Sequence, residues 1–341
     1  MLKKLLLTLA ASLCLLIISL GFWLNTVTPL TKQEQMIVQQ VMTSSLPEMI
    51  SGEQGYAKSG KIKIWYEIKK PPAINNQHIK GSVLLINGLG ASAMFWPPEI
   101  IEPLLSLGYQ VIITYHRGVG NSDWHTDEYD LSDLVKDNIA VLDSLKINQA
   151  HVLGLSLGGM IGQEMALEFP HRVSSLISAM SSGFTADPEL SMSSSFKSDA
   201  IKLLLRYGFI PTEENTIKMI VGIYKLLNAQ ADIDVKRLAT ATLYDLRQRK
   251  GFNHKLAEQQ AAAIDRSGSR YDRLPSMQVP TLVIHGQDDP LVNIAHAEKY
   301  AKLIPRVQTL WVAGMGHALA PSTIDVWMEA ALAVIEANNN G

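Results

Sequence analysis

Residues 151–160 read His-Val-Leu-Gly-Leu-Ser-Leu-Gly-Gly-Met, and the reading of this stretch decides the fold. His151 to Leu155 is a short apolar run suited to a buried strand, and Leu157 to Phe169 is a helix that stops at Pro170. Ser156 stands on the turn between them. A chain that passes so abruptly from strand to helix tolerates only small residues two before and two after the turn, and Gly154 and Gly158 hold those places. The hydroxyl then points out over the end of the sheet. The helix behind it offers free N–H groups and a partial positive charge. A serine at this point of a strand–turn–helix is in the setting of a nucleophile, and that setting separates it from a serine that merely caps a helix.

Outward from this point, strands and helices alternate. Lys61 to Ile68 alternates Ile62, Ile64 and Tyr66 against Lys61, Lys63 and Trp65, as in a half-exposed strand. Val83 to Ile86 is a continuous apolar run ending at Asn87-Gly88, as expected of a buried parallel strand. Ile100 to Leu107 is helical, Gln110 to Thr114 a strand, and Leu131 to Leu145 an amphipathic helix. Val173 to Met180, Thr281 to Ile284 and Thr309 to Val312 are further strands; helices cross Ala295 to Leu303 and Ile324 to Ala337. This order predicts an α/β protein with a mostly parallel, doubly wound sheet. Residues 183–277 break the alternation with helical periodicity alone, for example Ile201 to Leu205 and Ile217 to Leu227. They are expected to form a helical cap inserted into a core of residues 56–182 and 278–341, over the carboxyl ends of the strands.

The N-terminus has a different character. Lys3 and Lys4 precede an uncharged run from Leu5 to Leu24. Twenty helical residues span ~30 Å, the hydrocarbon thickness of a bilayer. Residues 1–28 therefore read as a transmembrane helix that contacts the membrane through residues 5–24. The catalytic part is then expected on the outer, periplasmic or extracellular side, since Lys3 and Lys4 favour a cytoplasmic N-terminus. Secretion after signal cleavage is the alternative. Residues 29–55 read as a polar linker with one short helix.

Composition narrows the function. With 30 basic and 32 acidic side chains the net charge is −2, which leaves no basic footprint for nucleic acid. The single cysteine, Cys14, lies in the N-terminal apolar run. A disulfide framework, a cysteine metal cluster and a cysteine nucleophile in the globular part are thereby excluded. Gly88-x-Gly90-x-x-Ala93 mimics a dinucleotide fingerprint, but the next strand ends at Thr114-Tyr115-His116 without the required acid. No Walker loop and no His-Glu-x-x-His zinc motif occurs. No cofactor and no metal is expected.

A serine nucleophile needs a base, and the base an orienting acid. Candidates follow two later strands in the order Ser, Asp, His: His285-Gly-Gln-Asp-Asp289-Pro after one, Gly314-Met-Gly-His317 after the other. Position alone leaves Asp288 and Asp289 open as the acid. An oxyanion hole requires two N–H donors; the amide of Leu157, next after the serine, is one, and the other should come from the Asn87-Gly-Leu-Gly90 loop.

These motifs resemble the α/β-hydrolase family over residues 56 to 338. Leu157, Pro280-Thr-Leu-Val-Ile and Gly314-Met-Gly-His-Ala-Leu319 are most similar to its aclacinomycin methylesterase-like branch. The resemblance implies that Asp289, three after Gly286, is the acid, and that Leu89 supplies the second oxyanion amide. Asn87 stands where the family has histidine, and Tyr115 where its Asp-x-Arg-Gly loop has the acid. The expected function is carboxylic ester hydrolysis through an acyl-enzyme formed on Ser156, with His317 and Asp289 completing the triad. The expected substrate is a small-molecule, medium-sized lipophilic ester, with Met94, Phe95 and Trp96 lining its pocket. Amide or C–C bond hydrolysis or perhydrolysis by the same triad, and a non-catalytic binding protein on this fold, are the alternatives. Oligomeric state is not legible.

Overall fold

The computed structural model describes residues 30–72, 79–124, 127–190, 194–250, 253 and 255–339. Eight strands form one sheet: β1 (Glu53–Ser59), β2 (Ile62–Lys69), β3 (Gly81–Ile86), β4 (Tyr109–Thr114), β5 (Ala150–Leu155), β6 (Val173–Ala179), β7 (Thr281–Gly286) and β8 (Val307–Val312). Their spatial order is β1-β2-β4-β3-β5-β6-β7-β8. The β1–β2 and β2–β4 pairs are antiparallel, and from β4 onward every pairing is parallel. β3, β5 and β7 are buried along nearly their whole length, as strands covered on both faces must be.

Helices α1 (Lys32–Thr43), α2 (Pro98–Ser106), α3 (Leu131–Ser144), α4 (Leu157–Glu168), α5 (Ser194–Tyr207), α6 (Glu213–Leu227), α7 (Val235–Gln248), α8 (Leu256–Ser267), α9 (Ile294–Ala301) and α10 (Pro321–Ala337) complete the architecture. α2 and α10 share an apolar layer on one face of the sheet, through Ile100, Leu104, Trp327 and Ala331. Leu134, Leu142, Ile161 and Met165 of α3 and α4 lie in the layer on the other. α5 to α8 fall between β6 and β7, within residues 183–277.

Three expectations are corrected. Among the described residues no helix is long and apolar enough to cross a membrane. The transmembrane helix expected over residues 5–24 lies outside the described residues, and the membrane-anchored placement drawn from it is not supported. Residues 29–55 are more than a linker. Val38 and Val41 of α1 pack with Ile217, Val221, Leu238 and Leu243 of α6 and α7, and Lys225 pairs with Glu34 at 2.8 Å. Trp65, read as the solvent side of its strand, is fully buried. Tyr115 lies against it at 4.9 Å between ring centroids, and the Arg249 guanidinium stacks over it at 4.3 Å.

Candidate active site

Ser156 is where β5 ends and α4 begins, and its backbone holds φ 53° and ψ −112°. A non-glycine residue in that region is strained by ~1–3 kcal/mol and persists only where its surroundings over-determine it. They do so here. The Ser156 amide donates to Ala179 O at 2.8 Å, Gly159 and Met160 donate to Ser156 O, and Ser181 Oγ donates to the same carbonyl at 2.8 Å. The glycine two residues on is dictated by contact: a Cβ on Gly158 would sit 2.0 Å from Ile86 O. Helix α4 is thus pressed against the end of β3, beside the Asn87–Gly90 loop.

His317 follows β8 and reaches Ser156: its Nε2 is 3.0 Å from Ser156 Oγ, and its Nδ1 is 2.6 Å from Asp289 Oδ2. Asp289, just past β7, is buried and receives four donors. Leu291 and Val292 amides give to Oδ1 at 2.9 and 2.8 Å. His317 Nδ1 and His285 Nε2 give to Oδ2, the latter at 3.1 Å. Burial alone would raise this carboxyl. The charge of His317 and the hydrogen bonds from His285 and His317 outweigh it and hold Asp289 far below the usual carboxylate range. An ionised carboxylate can only accept, so Nδ1 of His317 carries a hydrogen, and Nε2 is the ring atom that faces Ser156 Oγ.

The neighbouring residues separate. Asp288 is exposed and accepts from Gly314 N at 3.1 Å, a turn contact away from His317. His285 is wholly buried. Its Nε2 faces Val292 O at 2.7 Å as well as Asp289, and its Nδ1 has no partner among the described residues.

The loop after β3 carries Leu89 at the cavity wall. Asn87 uses its side chain to tie the loop, donating to Ser92 O at 2.6 Å, while His116 Nε2 donates to Asn87 O at 2.9 Å. Leu157 is the first residue of α4, so its amide has no intrahelical acceptor. Leu157 follows Ser156 directly, and a Cβ on Gly88, the residue before Leu89, would stand 3.4 Å from Ser156 Cβ. Sequence reasoning did not find the two cap groups that reach this region. Gln260 on α8 accepts from Gly90 N at 2.7 Å, and Leu227 O, ending α6, accepts from His317 N at 2.7 Å.

A cavity of about 540 Å³ lies between sheet and cap, with Ser156 and His317 at its floor. Its walls are mostly apolar, among them Phe95, Met160, Phe196, Ile223, Leu238 and Leu319. Phe95 meets Tyr224 edge-on at 5.4 Å. The expectation for Met94 and Trp96 is corrected: both are buried in the core layer over the sheet and neither lines the cavity. The short helical turn Ala93–Phe95 rotates its alternate side chains inward. Glu99, Asp234, Arg237 and Asp265 also border the cavity. Among the described residues no group of three or more His, Cys, Asp or Glu side chains is arranged to hold a metal ion.

Comparisons with known proteins agree with the fold. The family model for the alpha/beta hydrolase fold matches residues 81–321. The chain belongs to the α/β-hydrolase family and is an enzyme, a hydrolase. The rhodomycin D methylesterase of Streptomyces peucetius is 27% identical over 278 residues, which make up 76% of this chain and 90% of that one. This similarity agrees with the methylesterase-like branch expected from the motifs. A 2-hydroxy-6-oxononadienedioate/2-hydroxy-6-oxononatrienedioate hydrolase of Cupriavidus pinatubonensis is 30% identical over 240 residues, 69% of this chain and 80% of the relative. Among solved structures, an esterase from Exiguobacterium antarcticum superposes with a TM-score of 0.63 at 21% identity, over 82% of this chain and 98% of its own. It shares the fold.

Proposed function

We propose that this chain hydrolyses lipophilic carboxylic esters through an acyl-enzyme on Ser156. The observation that carries the reading is the continuous chain Ser156 Oγ, His317, Asp289, with contacts of 3.0 and 2.6 Å, at the floor of a largely apolar cavity. Ser156 Oγ attacks the ester carbonyl carbon as His317 Nε2 takes its proton. Asp289 holds the ring and balances its charge. The developing oxyanion is met by the amides of Leu89 and Leu157, each worth ~3–4 kcal/mol if lost. Collapse expels the alcohol with the proton from His317, and water repeats the sequence on the acyl-enzyme. The methylesterase name of its relative in Streptomyces peucetius supports an ester as substrate.

A second reading rests on Arg237, which borders the cavity and whose Nε has no partner among the described residues. A carboxylate-bearing substrate, such as the dioate in the name of the Cupriavidus relative, would find a cation there. Glu99, Asp234 and Asp265 around the same cavity oppose it, and the neutral ester stays first.

The test is a series of p-nitrophenyl esters of increasing acyl length, run on the full chain and on Ser156→Ala. Turnover that disappears in the variant supports the reading, and the chain-length optimum sizes the acyl pocket. Undiminished turnover in Ser156→Ala removes this serine from the mechanism.

A further inference from the structure

Gln260 lies on α8, deep in the cap, and is completely buried. Its Oε1 accepts the backbone N–H of Gly90 at 2.7 Å across 170 positions of sequence. Its Nε2 is buried and finds no partner among the described residues. A buried amide that leaves its two donors unmatched is poorly suited to holding the cap together. What it does satisfy is one N–H on the loop beside Ser156.

That N–H matters because of where it sits. Ala91 N donates back to Gly88 O at 3.3 Å, closing a turn whose middle residues are Leu89 and Gly90. Gly90 has φ +67°, with open space where a Cβ would be, so conformation alone requires glycine there. A third turn residue at positive φ marks the form in which the central peptide is flipped relative to the common turn. The base of the loop is fixed from the core by Asn87, Ser92 and His116. Its tip is fixed from the cap, by Gln260.

We propose that Gln260 is a positioning residue that locks the Gly88–Ala91 turn in the form that keeps the Leu89 amide beside Ser156. The inference rests on the ester-hydrolase reading above. It makes the cap part of the catalytic apparatus as well as the wall of the cavity. With the acceptor removed, the Gly90 N–H loses its partner, the tip of the turn is released from the cap and the adjoining Leu89 amide is no longer held in place, while the apolar substrate walls are untouched. Loss should therefore fall on the transition state and spare ground-state binding.

The test compares the full chain with Gln260→Met, which keeps length and loses the acceptor, and Gln260→Glu, which keeps the acceptor. Steady-state kinetics on p-nitrophenyl butyrate are paired with inhibition by an alkyl trifluoromethyl ketone. That probe forms a bond between Ser156 Oγ and the ketone carbon, passes the serine proton to His317 and leaves an alkoxide in the oxyanion site. For Gln260→Met the expected result is a kcat lower by about 10- to 100-fold, a KM within about twofold, and a ketone Ki raised by the same factor as kcat falls. Gln260→Glu should recover kcat to within about threefold of wild type. A Gln260→Met variant with wild-type kcat and Ki overturns the inference, as does one whose Ki and KM rise together, the mark of a general loosening. If Gln260→Met does not fold, Gln260→Asn, which withdraws the acceptor by one methylene, takes its place under the same criteria. Ser156→Ala is run alongside. Equal turnover by wild type and Ser156→Ala overturns the underlying reading and this inference with it. Turnover lost in Ser156→Ala but retained in Gln260→Met overturns this inference alone.

Discussion

The backbone N–H of His317 donates to the carbonyl of Leu227 at 2.7 Å. The proposed base is thereby attached to the last residue of a cap helix as well as to the loop after β8. Gly316, just before it, is pressed so close that a Cβ would stand 2.2 Å from Leu227 O and 2.8 Å from Asn228. Gly316→Ala must push the cap helix and the histidine loop apart. We expect kcat to fall at least tenfold, with a stability loss of ~1–3 kcal/mol from the overpacked contact. Steady-state kinetics and thermal unfolding of the purified variant check both.

Ser156 is both the proposed nucleophile and a strained residue, at φ 53°. Removing the hydroxyl and the strain together should separate activity from stability. Ser156→Gly should lose turnover by ~10⁴–10⁶-fold and gain on the order of 1 kcal/mol of stability, the relieved strain minus the entropy of glycine. A lower melting temperature for this variant would mean that the serine backbone is not strained in solution.

The two adjacent aspartates should behave oppositely. Asp289 is buried and accepts from His317 at 2.6 Å, whereas Asp288 is exposed and holds only a turn. Asp289→Asn loses the anion that balances an imidazolium and should cost kcat ~10²–10⁴-fold. Asp288→Asn should stay within about threefold, because an amide oxygen still accepts from Gly314. The comparison is made at one pH with a saturating ester.

Acid should destabilise the fold through buried histidines outside the proposed triad. Burial pushes the His151 imidazole down to about 4, and burial lowers His116 and His296 as well. Between the ordinary histidine value and about 4, the unfolded chain binds protons that the folded chain does not. Stability is therefore full above pH ~6.5 and declines as pH falls toward 4, by up to ~3 kcal/mol from His151 alone. Denaturant melts at pH 7 and at pH 4.5 should show the decline. His151→Gln, which can still bond Ser175, should flatten part of it. A midpoint independent of pH over this range rejects the assignment.

The sheet was legible because buried parallel strands are short apolar runs and the helices between them have a distinct period. Gly154 to Gly158 and the strand ends after β5, β7 and β8 pointed to Ser156, His317 and the pair Asp288–Asp289, and the resemblance to the α/β-hydrolases chose Asp289 within that pair. The antiparallel edge was harder. β1 is Glu-Gln-Gly-Tyr-Ala-Lys-Ser, largely exposed, so it has no apolar signature. Trp65 was misplaced because its cover comes from Arg249, at the end of α7 and distant in sequence. Met94 and Trp96 were misjudged for a local reason, since at the single turn Ala93–Phe95, Phe95 borders the cavity while both of its neighbours are buried in the core. Leu227 and Gln260 left no signal at all. One acts through a backbone carbonyl, which every residue has, and the other through an ordinary glutamine on an ordinary helix.

β6 and β7 are neighbours in the sheet, paired from Leu176 and Thr281 onward, and the whole cap leaves from one and returns to the other. Near its two ends the insertion is tied to itself, Arg270 N donating to Gly183 O at 3.0 Å, which makes it exchangeable as a cassette between related chains without disturbing the sheet. The carbonyl of Leu227 and the amide of Gln260 travel with that cassette. Grafting a foreign cap to alter substrate preference would consequently rewrite turnover as well. A transplant that ignores those two anchoring points would recognise a new ester and process it slowly.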